Sequence, residues 1–554
     1  MDSGATEVLA PPDELSGAAG LGRTVIRVRR AVARTLRLPE FWLVLALSGA
    51  TFAVHDVAYA LRVPFWTDEA WVAVTTRFPL SQLPAVSSST PIGWTLLLRV
   101  FSVGSGGHQW LRILPLLFSA CTVAAAYLLA RGLGWRDRRS AILAGTVTAV
   151  SVLFSPALLV RDDLKQYTAD AFLALAVLAG LSRLEREWSR RRLASLAVLC
   201  IVGKLFSHTT LFVAVAAFGA LALLQLARRA WPRLLETAIG GLAAGVGMGI
   251  VYVVFDAPAV VPGLTSYWEA YYVPLRHGLG ASLKFLRNNL ATLHSFIGLG
   301  PTWLIALFAA LGLVVLVRVA RPAVALAIVL LGPEMIAVSG LKKYPLLDER
   351  TSTFLLVIGV ALAAIGIAGL CDLIASGAVR RAGRWAALRS PRSLTAMAVA
   401  VLAVGAFIAG SRHDIRSHDL PAEDVRSQAA YVYAHRTPDD VVLVNLNSNW
   451  GFAYYWPAGT PAQSASTTVM QKYIAVFPDQ PRLVIARNRD ASGVQAALDQ
   501  ALSLVRSHSG ARVWVVRTHV TAVEAAAWSA ALQADHLTLR QVNSAGLSVI
   551  VPGS

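Results

Sequence analysis

The chain has 554 residues, 56% of them hydrophobic and 15% charged, with a formal net charge of +18. Soluble domains carry nearer a quarter charged residues; with a mean hydropathy of +0.57, this composition excludes an ordinary soluble enzyme and implies a polytopic membrane protein. The positive charge gathers in short Arg clusters between apolar runs, where it sets membrane orientation rather than binding nucleic acid, so no nucleic-acid partner is expected.

Residues 1–40 read as a cytoplasmic tail, and residues 1–23 lack the apolar core of a cleavable signal peptide. Apolar runs then predict about eleven spans, near 41–61, 109–131, 140–158, 168–185, 193–207, 209–227, 234–255, 301–319, 322–340, 351–371 and 393–411. Lys204 and Ser207-His208 interrupt the fifth. Cys121, Cys200 and Cys371 all fall in apolar runs and read as core hydrophobes.

Every second loop is basic: Arg27 to Arg37 before the first span, Arg136 to Arg139 after the second, Arg183 to Arg192 after the fourth, and Arg228 to Arg233 after the sixth. Arg318 with Arg321, and Arg380 to Arg392, continue the pattern. The positive-inside rule then puts the N-terminus in the cytoplasm and, with an odd span number, the C-terminus outside. The expected location is a bacterial inner membrane, with outer loops at 62–108, 159–167, 256–300 and 341–350 and a C-terminal domain in the periplasm.

Those outer loops carry structure. Trp71 to Phe78 is amphipathic, and Pro91-Ile92-Gly93-Trp94 to Phe101 reads as a second short helix. Tyr267, Trp268, Tyr271 and Tyr272 form an aromatic cluster suited to interfacial anchoring, or to stacking on a sugar or polyprenyl chain. The tail 412–554 changes character. Short buried-strand patterns at 441–444, 482–486, 513–516 and 547–551 alternate with helical patterns near 422–435, 492–508 and 521–533, which predicts a small α/β domain with a largely parallel sheet. It has no glycine-rich phosphate fingerprint, so an acceptor-binding or scaffolding role fits it better than a second catalytic centre. His413, His418 and His435 show no metal-ligand spacing.

Ionisable groups at membrane depth invite a functional reading, and here they crowd the outer ends of spans. They include Asp68 and Glu69, Arg112, Arg161 with Asp162, Asp163 and Lys165, then Tyr167, Asp170, Lys204 and His208. Lys342, Lys343, Tyr344, Asp348, Glu349 and Arg350 join spans nine and ten, and Glu334 lies inside span nine. A polyprenyl-phosphate sugar is an anionic donor anchored in the bilayer. Its transfer needs a carboxylate base for the acceptor hydroxyl and cations for the leaving phosphate. Simpler roles stand beside these: helix-dipole charges for Asp68 and Glu69, a solvated pair for Asp162 and Asp163, lipid-headgroup contacts for Lys342, Lys343 and Arg350, a satisfied polar residue for His208, and an interhelical ion pair for Glu334. A flippase of lipid-linked sugars is the alternative function, though it would favour charge at the membrane midplane.

The stretch from about 60 to 220 resembles the GT-C glycosyltransferase superfamily, most closely the bacterial branch related to protein O-mannosyltransferases and aminoarabinose lipid A transferases (glycosyltransferase family 39). The resemblance rests on Asp68-Glu69-Ala70, Thr90-Pro91-Ile92-Gly93-Trp94, Arg112-Ile113-Leu114-Pro115, Tyr127 to Arg131, Ser155-Pro156 and Lys165 to Asp170, with Lys343-Tyr344-Pro345 and Arg350 further on. It implies a GT-C-like membrane domain over 41–411 and an extracytoplasmic α/β domain over 412–554. It also implies an inverting transferase that takes a sugar from a polyprenyl-phosphate donor to a glycan, lipid or protein hydroxyl in cell-envelope synthesis. By it Asp68 is the base with Glu69 beside it, and Arg161, Lys165, Lys342, Lys343 and Arg350 face the donor phosphate. Arg112, Asp162, Asp163, Tyr167, His208, Glu334 and Tyr344 are further site candidates. The resemblance leaves open a divalent cation (Mg, Mn or Ca) held by Asp68, Glu69 and Asp162. Two departures are Ile92, where relatives often carry a second proline, and the doubled Asp162-Asp163.

Overall fold

The computed structural model describes residues 38–553 except 88, 104–107, 162, 262, 299–301, 380–390, 419, 421, 467 and 469–470. Asp162, the basic run from Arg380 to Arg389 and most of the N-terminal tail therefore lie outside the described residues. In chain order the membrane part runs α1 (Pro39–Gly49), α2 (Thr67–Val74), α3 (Ile92–Val103), α4 (Ile113–Arg131), α5 (Arg138–Leu153), α6 (Tyr167–Arg186) and α7 (Arg190–Lys204). It continues with α8 (Thr210–Ala227), α9 (Trp231–Val251), α10 (Leu279–Leu293), α11 (Thr302–Arg318), α12 (Pro322–Gly340), α13 (Thr353–Val379) and α14 (Pro391–Gly410).

A helix stands at each of the eleven expected positions. Six helical stretches among the described residues are long and apolar enough to cross a bilayer by length and composition, those containing α4, α6, α8, α9, α12 and α13. Of the others, the first, third and eighth runs are shorter than the sequence reading gave them. The first run breaks at Ala50 and ends at Val54, and α7 stops at Lys204. Helix α6 is the hub, packed against α4, α7, α8, α12 and α13, so its face-by-face apolar sequence is buried rather than amphipathic. Helix α9 keeps most of its apolar surface outward and ends in a π turn, Tyr252–Asp256.

The tail forms α15 (Val425–His435), β1 (Val441–Val444), α16 (Asn449–Tyr455), a β2–β3 hairpin (Ala462–Ala465, Tyr473–Val476), β4 (Leu483–Ile485), α17 (Ala491–Val505), β5 (Val513–Val516), α18 (Ala522–Ala534), β6 (Leu537–Gln541) and β7 (Ser548–Pro552). The sheet order is β4-β1-β5-β7-β6. Only β4–β1–β5 is parallel; β7 and β6 join antiparallel. The expected largely parallel sheet is thus a mixed one. The reason is that the last two strands form a hairpin, and β6 alternates half-buried and exposed residues at the edge, a weak pattern to read from sequence.

Strand alternation sends side chains to two cores. Val441, Leu443, Val484, Val513 and Val515 pack under α17 and α18. Val442, Val444, Trp514 and Val516 face the other way and share one core with Phe65, Val72, Phe78, Trp94 and Leu114 of the membrane part. Sheet and first outer loop therefore exclude water together. Arg77 reinforces the junction: its Nη1 donates to the carbonyls of Ala453, Tyr454 and Trp456 at 2.7, 2.8 and 3.0 Å, satisfying carbonyls that the end of α16 leaves open.

Candidate active site

Helix α2 places its two carboxylates in opposite surroundings. Glu69 points inward and pairs with Arg112, both side chains fully buried. The Arg112 Nε donates to Glu69 at 2.8 Å. Its remaining donors reach the carbonyls of Ala60, Val63 and Pro64 at 2.5, 2.6 and 3.1 Å, and its guanidinium stacks 4.8 Å from the Phe65 ring. Both Glu69 oxygens accept from this one guanidinium, so the pair fixes α2 to the start of α4. Asp68 keeps 32% of its side chain exposed and meets Arg350 Nη1 at 3.4 Å.

Two distant stretches bring cations to Asp68. The loop before α6 supplies Lys165, whose ammonium donates to Ser89 Oγ at 3.1 Å and lies 5.1 Å from the Trp71 ring. Burial pushes this ammonium below its ordinary pKa, against the pull of Asp68 and Asp163. The loop before α13 supplies Arg350, 5.9 Å from the Trp268 ring. Burial acts to lower its pKa, but the acidic groups around it, Asp348 and Asp68 among them, hold it above the ordinary arginine value. Asp348 is buried and accepts from the Thr351 amide at 2.9 Å, which shapes the loop. Glu349 beside it is raised by burial and by Asp348, with Arg161 opposing.

Local sequence explains the geometry. Gly93 N–H donates to the Leu205 carbonyl at 2.7 Å, and a Cβ there would meet that oxygen at 2.6 Å, so only glycine allows the approach. Trp94 Nε1 donates to the Leu164 carbonyl at 2.8 Å and so pins the segment that carries Lys165. The Pro-Ile-Gly-Trp motif is thus a clamp on the second outer loop.

The remaining candidates spread around this centre. Arg161 and Asp163 are buried in the same loop as Lys165. Tyr167, at the start of α6, lies within electrostatic reach of Arg350, Asp163 and Asp68. Tyr344 donates to the Thr351 carbonyl at 3.0 Å and rests on Phe212. Lys342 is exposed and bonded to both oxygens of Glu269, and Lys343 is exposed beside it. His208 belongs to a second cluster, its Nδ1 3.1 Å from Lys204 Nζ and 3.6 Å from Asp256, with Lys204 and Asp256 paired directly. Asp170 is buried nearby, faced by Ser207, Thr209 and His208. Glu334, after Pro333 in α12, is half-buried and has no ion-pair partner among the described residues.

Of the residues suggested for a divalent ion, Glu69 gives both oxygens to Arg112 and Asp162 lies outside the described residues; among the described residues no group of three or more Asp, Glu, His or Cys is placed to hold a metal. Sequence reasoning missed three groups. Asp256 closes an apolar run. Glu423 and His519 lie in the tail, and no motif tied them to Asp68. Glu423 Oε2 accepts from the Thr67 amide and hydroxyl, each at 2.9 Å, and its Oε1 lies 2.7 Å from His519 Nδ1.

Residues 115–445 match the model of a family of unknown function, DUF6541. No curated protein matches the chain in sequence. Among solved structures, ArnT from Cupriavidus metallidurans bound to undecaprenyl phosphate superposes with a TM-score of 0.52 at 12% identity, over 93% of this chain and 98% of that one. The apo form gives 0.51 at 14% identity, over 92% and 97%. The oligosaccharyltransferase AglB from Archaeoglobus fulgidus, complexed with an inhibitory peptide and a dolichol-phosphate, gives 0.49 at 12% identity, over 86% and 69%. The chain therefore has the GT-C fold, a polytopic helical membrane domain followed by an α/β domain.

Proposed function

The chain belongs to a family of unknown function (DUF6541), and we propose that it moves a sugar from a polyprenyl-phosphate donor to a hydroxyl acceptor on the outer face of a bacterial inner membrane, with inversion and with Asp68 as the base. One observation carries the reading: a half-exposed carboxylate, Asp68, sits 3.4 Å from Arg350 and within the field of Lys165, on a rim of apolar helices. Two cations beside a carboxylate at a bilayer edge suit a substrate whose phosphate must stay at headgroup level while its sugar reacts. Alternate basic loops support the outward orientation. The shared fold with ArnT, which was solved with undecaprenyl phosphate bound, is analogy at the level of the fold.

In the proposed step the acceptor oxygen attacks the anomeric carbon as Asp68 takes its proton. The bond from that carbon to the phosphate oxygen breaks on the opposite face, which inverts the centre. The leaving polyprenyl phosphate gains negative charge, and Arg350 and Lys165 stabilise it. Trp71 and Trp268, which carry these cations on their ring faces, also set apolar surface beside them. Glu69 has a positioning role here: buried on Arg112, it orients the helix that presents Asp68. Lys342 and Lys343, exposed at the rim, suit contact with lipid headgroups.

The test uses protein in nanodiscs and a panel of polyprenyl-phosphate hexoses and pentoses, chosen by mass spectrometry of the lipids that co-purify. Asp68→Asn should lower transfer by about 10²–10⁴-fold while leaving the melting midpoint unchanged. Full activity in Asp68→Asn removes Asp68 from the chemistry. Movement of labelled lipid across vesicles without a new glycosidic bond replaces the transferase with a flippase.

A further inference from the structure

In sheets of this build, ligands bind outside the carboxyl ends of parallel strands, where successive connections diverge. Strands β4 and β5 flank β1 on opposite sides, so that point lies at the loops after β1 and β5. Those loops are tied together: Asn447 Nδ2 donates to the His519 carbonyl at 2.8 Å and the Thr518 amide to Ser448 Oγ at 2.7 Å. They hold His519 in the left-handed region, φ 49°, which histidine adopts more readily than most non-glycine residues.

This edge faces Asp68. Glu423, with 8% of its side chain exposed, bridges His519 to the first residue of the Asp68 helix. The Thr67 hydroxyl also reaches the Asn447 carbonyl at 3.4 Å. His519 stays 45% exposed, and its bond to Glu423 raises its pKa, with Asp68 adding to the rise and Arg489 opposing it. Arg489, in the loop after β4, is exposed and has no ion-pair partner among the described residues. The open side of the edge thus presents the His519 ring and the Arg489 guanidinium, with Glu423 behind the first and Asp490 next to the second.

Resting on the transferase reading, we propose that the carboxyl edge of β4, β1 and β5 is the acceptor site, and that His519 and Arg489 select an anionic saccharide, one bearing a carboxylate or phosphate near the hydroxyl offered to Asp68. Lys165 and Arg350 serve the donor phosphate from the membrane side. His519 and Arg489 hold the acceptor's charge from the domain side, so the two anions approach Asp68 from separate cationic walls.

Binding without donor tests this. Full-length protein in nanodiscs is titrated calorimetrically with glucuronate, mannose 6-phosphate, glucose and inorganic phosphate. The anionic sugars should bind, and glucose should bind at least about tenfold more weakly, the scale of one charge-assisted hydrogen bond. His519→Gln and Arg489→Gln should each weaken the anionic sugars about tenfold. Arg540→Gln, an exposed charge on edge strand β6 of the same domain, should bind them as the wild type does. Equal binding of glucose, equal affinity in the His519 and Arg489 variants, or phosphate binding as tightly as mannose 6-phosphate overturns the proposal. Because no turnover is read, these outcomes stand apart from the Asp68→Asn test: either can fail while the other holds.

Discussion

The Glu69–Arg112 pair gives the sharpest test of how α2 is held. Both side chains have no solvent exposure, so removing one partner leaves an uncompensated charge in the interior. Glu69→Ala strips two charge-assisted hydrogen bonds from the guanidinium, and its bonds to the carbonyls of Ala60, Val63 and Pro64 remain. Dipoles of that kind do not replace a counter-charge, and breaking a buried pair costs about 3–5 kcal/mol. Arg112→Met strands the Glu69 anion and should cost as much. The double variant buries neither charge. It leaves no unpaired charge in the interior, so its loss should fall at least about 2 kcal/mol short of the sum of the single losses. Reversible unfolding in mixed micelles, followed by circular dichroism, gives all corners of the cycle. Single variants that each lose less than about 1 kcal/mol, or a strictly additive double variant, would refute the claim that this pair fixes the helix. Asp68→Asn is the internal contrast: a partly exposed carboxylate with a 3.4 Å contact should cost less than about 1 kcal/mol.

Lys165→Met removes a buried cation within the field of Asp68 and should lower transfer about 10²-fold or more, read as initial rates at saturating donor; activity near wild type would remove Lys165 from the chemistry. Arg350→Lys keeps the charge but not the planar fork, and should retain part of the rate that Arg350→Ala loses. Arg77→Met removes charged donors from three carbonyls at the end of α16; at roughly 1.5–3 kcal/mol for a charged hydrogen bond before screening, it should expose the 62–108 loop to limited proteolysis. Docking of the tail onto α2 should also depend on pH. His519 has its pKa raised above the usual histidine value by Glu423. Its contribution is therefore complete below the unfolded value near 6.5 and fades as pH rises through the folded value. Hydrogen exchange at the Thr67 amide, corrected for intrinsic rates, should quicken over that rise in the wild type and lose the dependence in His519→Gln.

Much of the bundle was legible because a bilayer demands long apolar helices, and hydropathy reports them directly. The tail's inner strands were legible for the same reason: β1 and β5 are four-residue runs buried on both faces. What stayed hidden was whatever depended on contact between distant stretches. Strand β6 alternates and ends at the edge, and the β2–β3 hairpin carries the polar sequence Ala-Gln-Ser-Ala on one arm. Asp68 and Glu69 are neighbours of nearly identical chemistry, and sequence alone treated them as a pair. They part because α2 turns by about 100° per residue, which sends one carboxylate to Arg112 and the other to the rim. Glu423 and His519 gave no local signal at all, since neither lies in a motif and their partner is more than 350 residues away in the chain.

That long-range contact bears on why a membrane bundle of this kind carries an α/β domain. In the proposed reaction a donor held by its lipid needs only a cationic rim, the role proposed for the loops before α6 and α13. A water-borne or polymeric acceptor has no bilayer to orient it, so its binding surface must be fixed to the base itself. The shared core does this: Val442, Trp514 and Val516 of the sheet pack with Phe65, Val72 and Trp94 from the loop that presents Asp68. A flexible tether would lose the effective concentration that such a rigid junction supplies. The α/β domain therefore packs directly behind Asp68, and in the proposed reaction a substitution in it, at Trp450 of α16 stacked on Trp71 for example, should disturb catalysis through Lys165 and Asp68 although it touches no substrate.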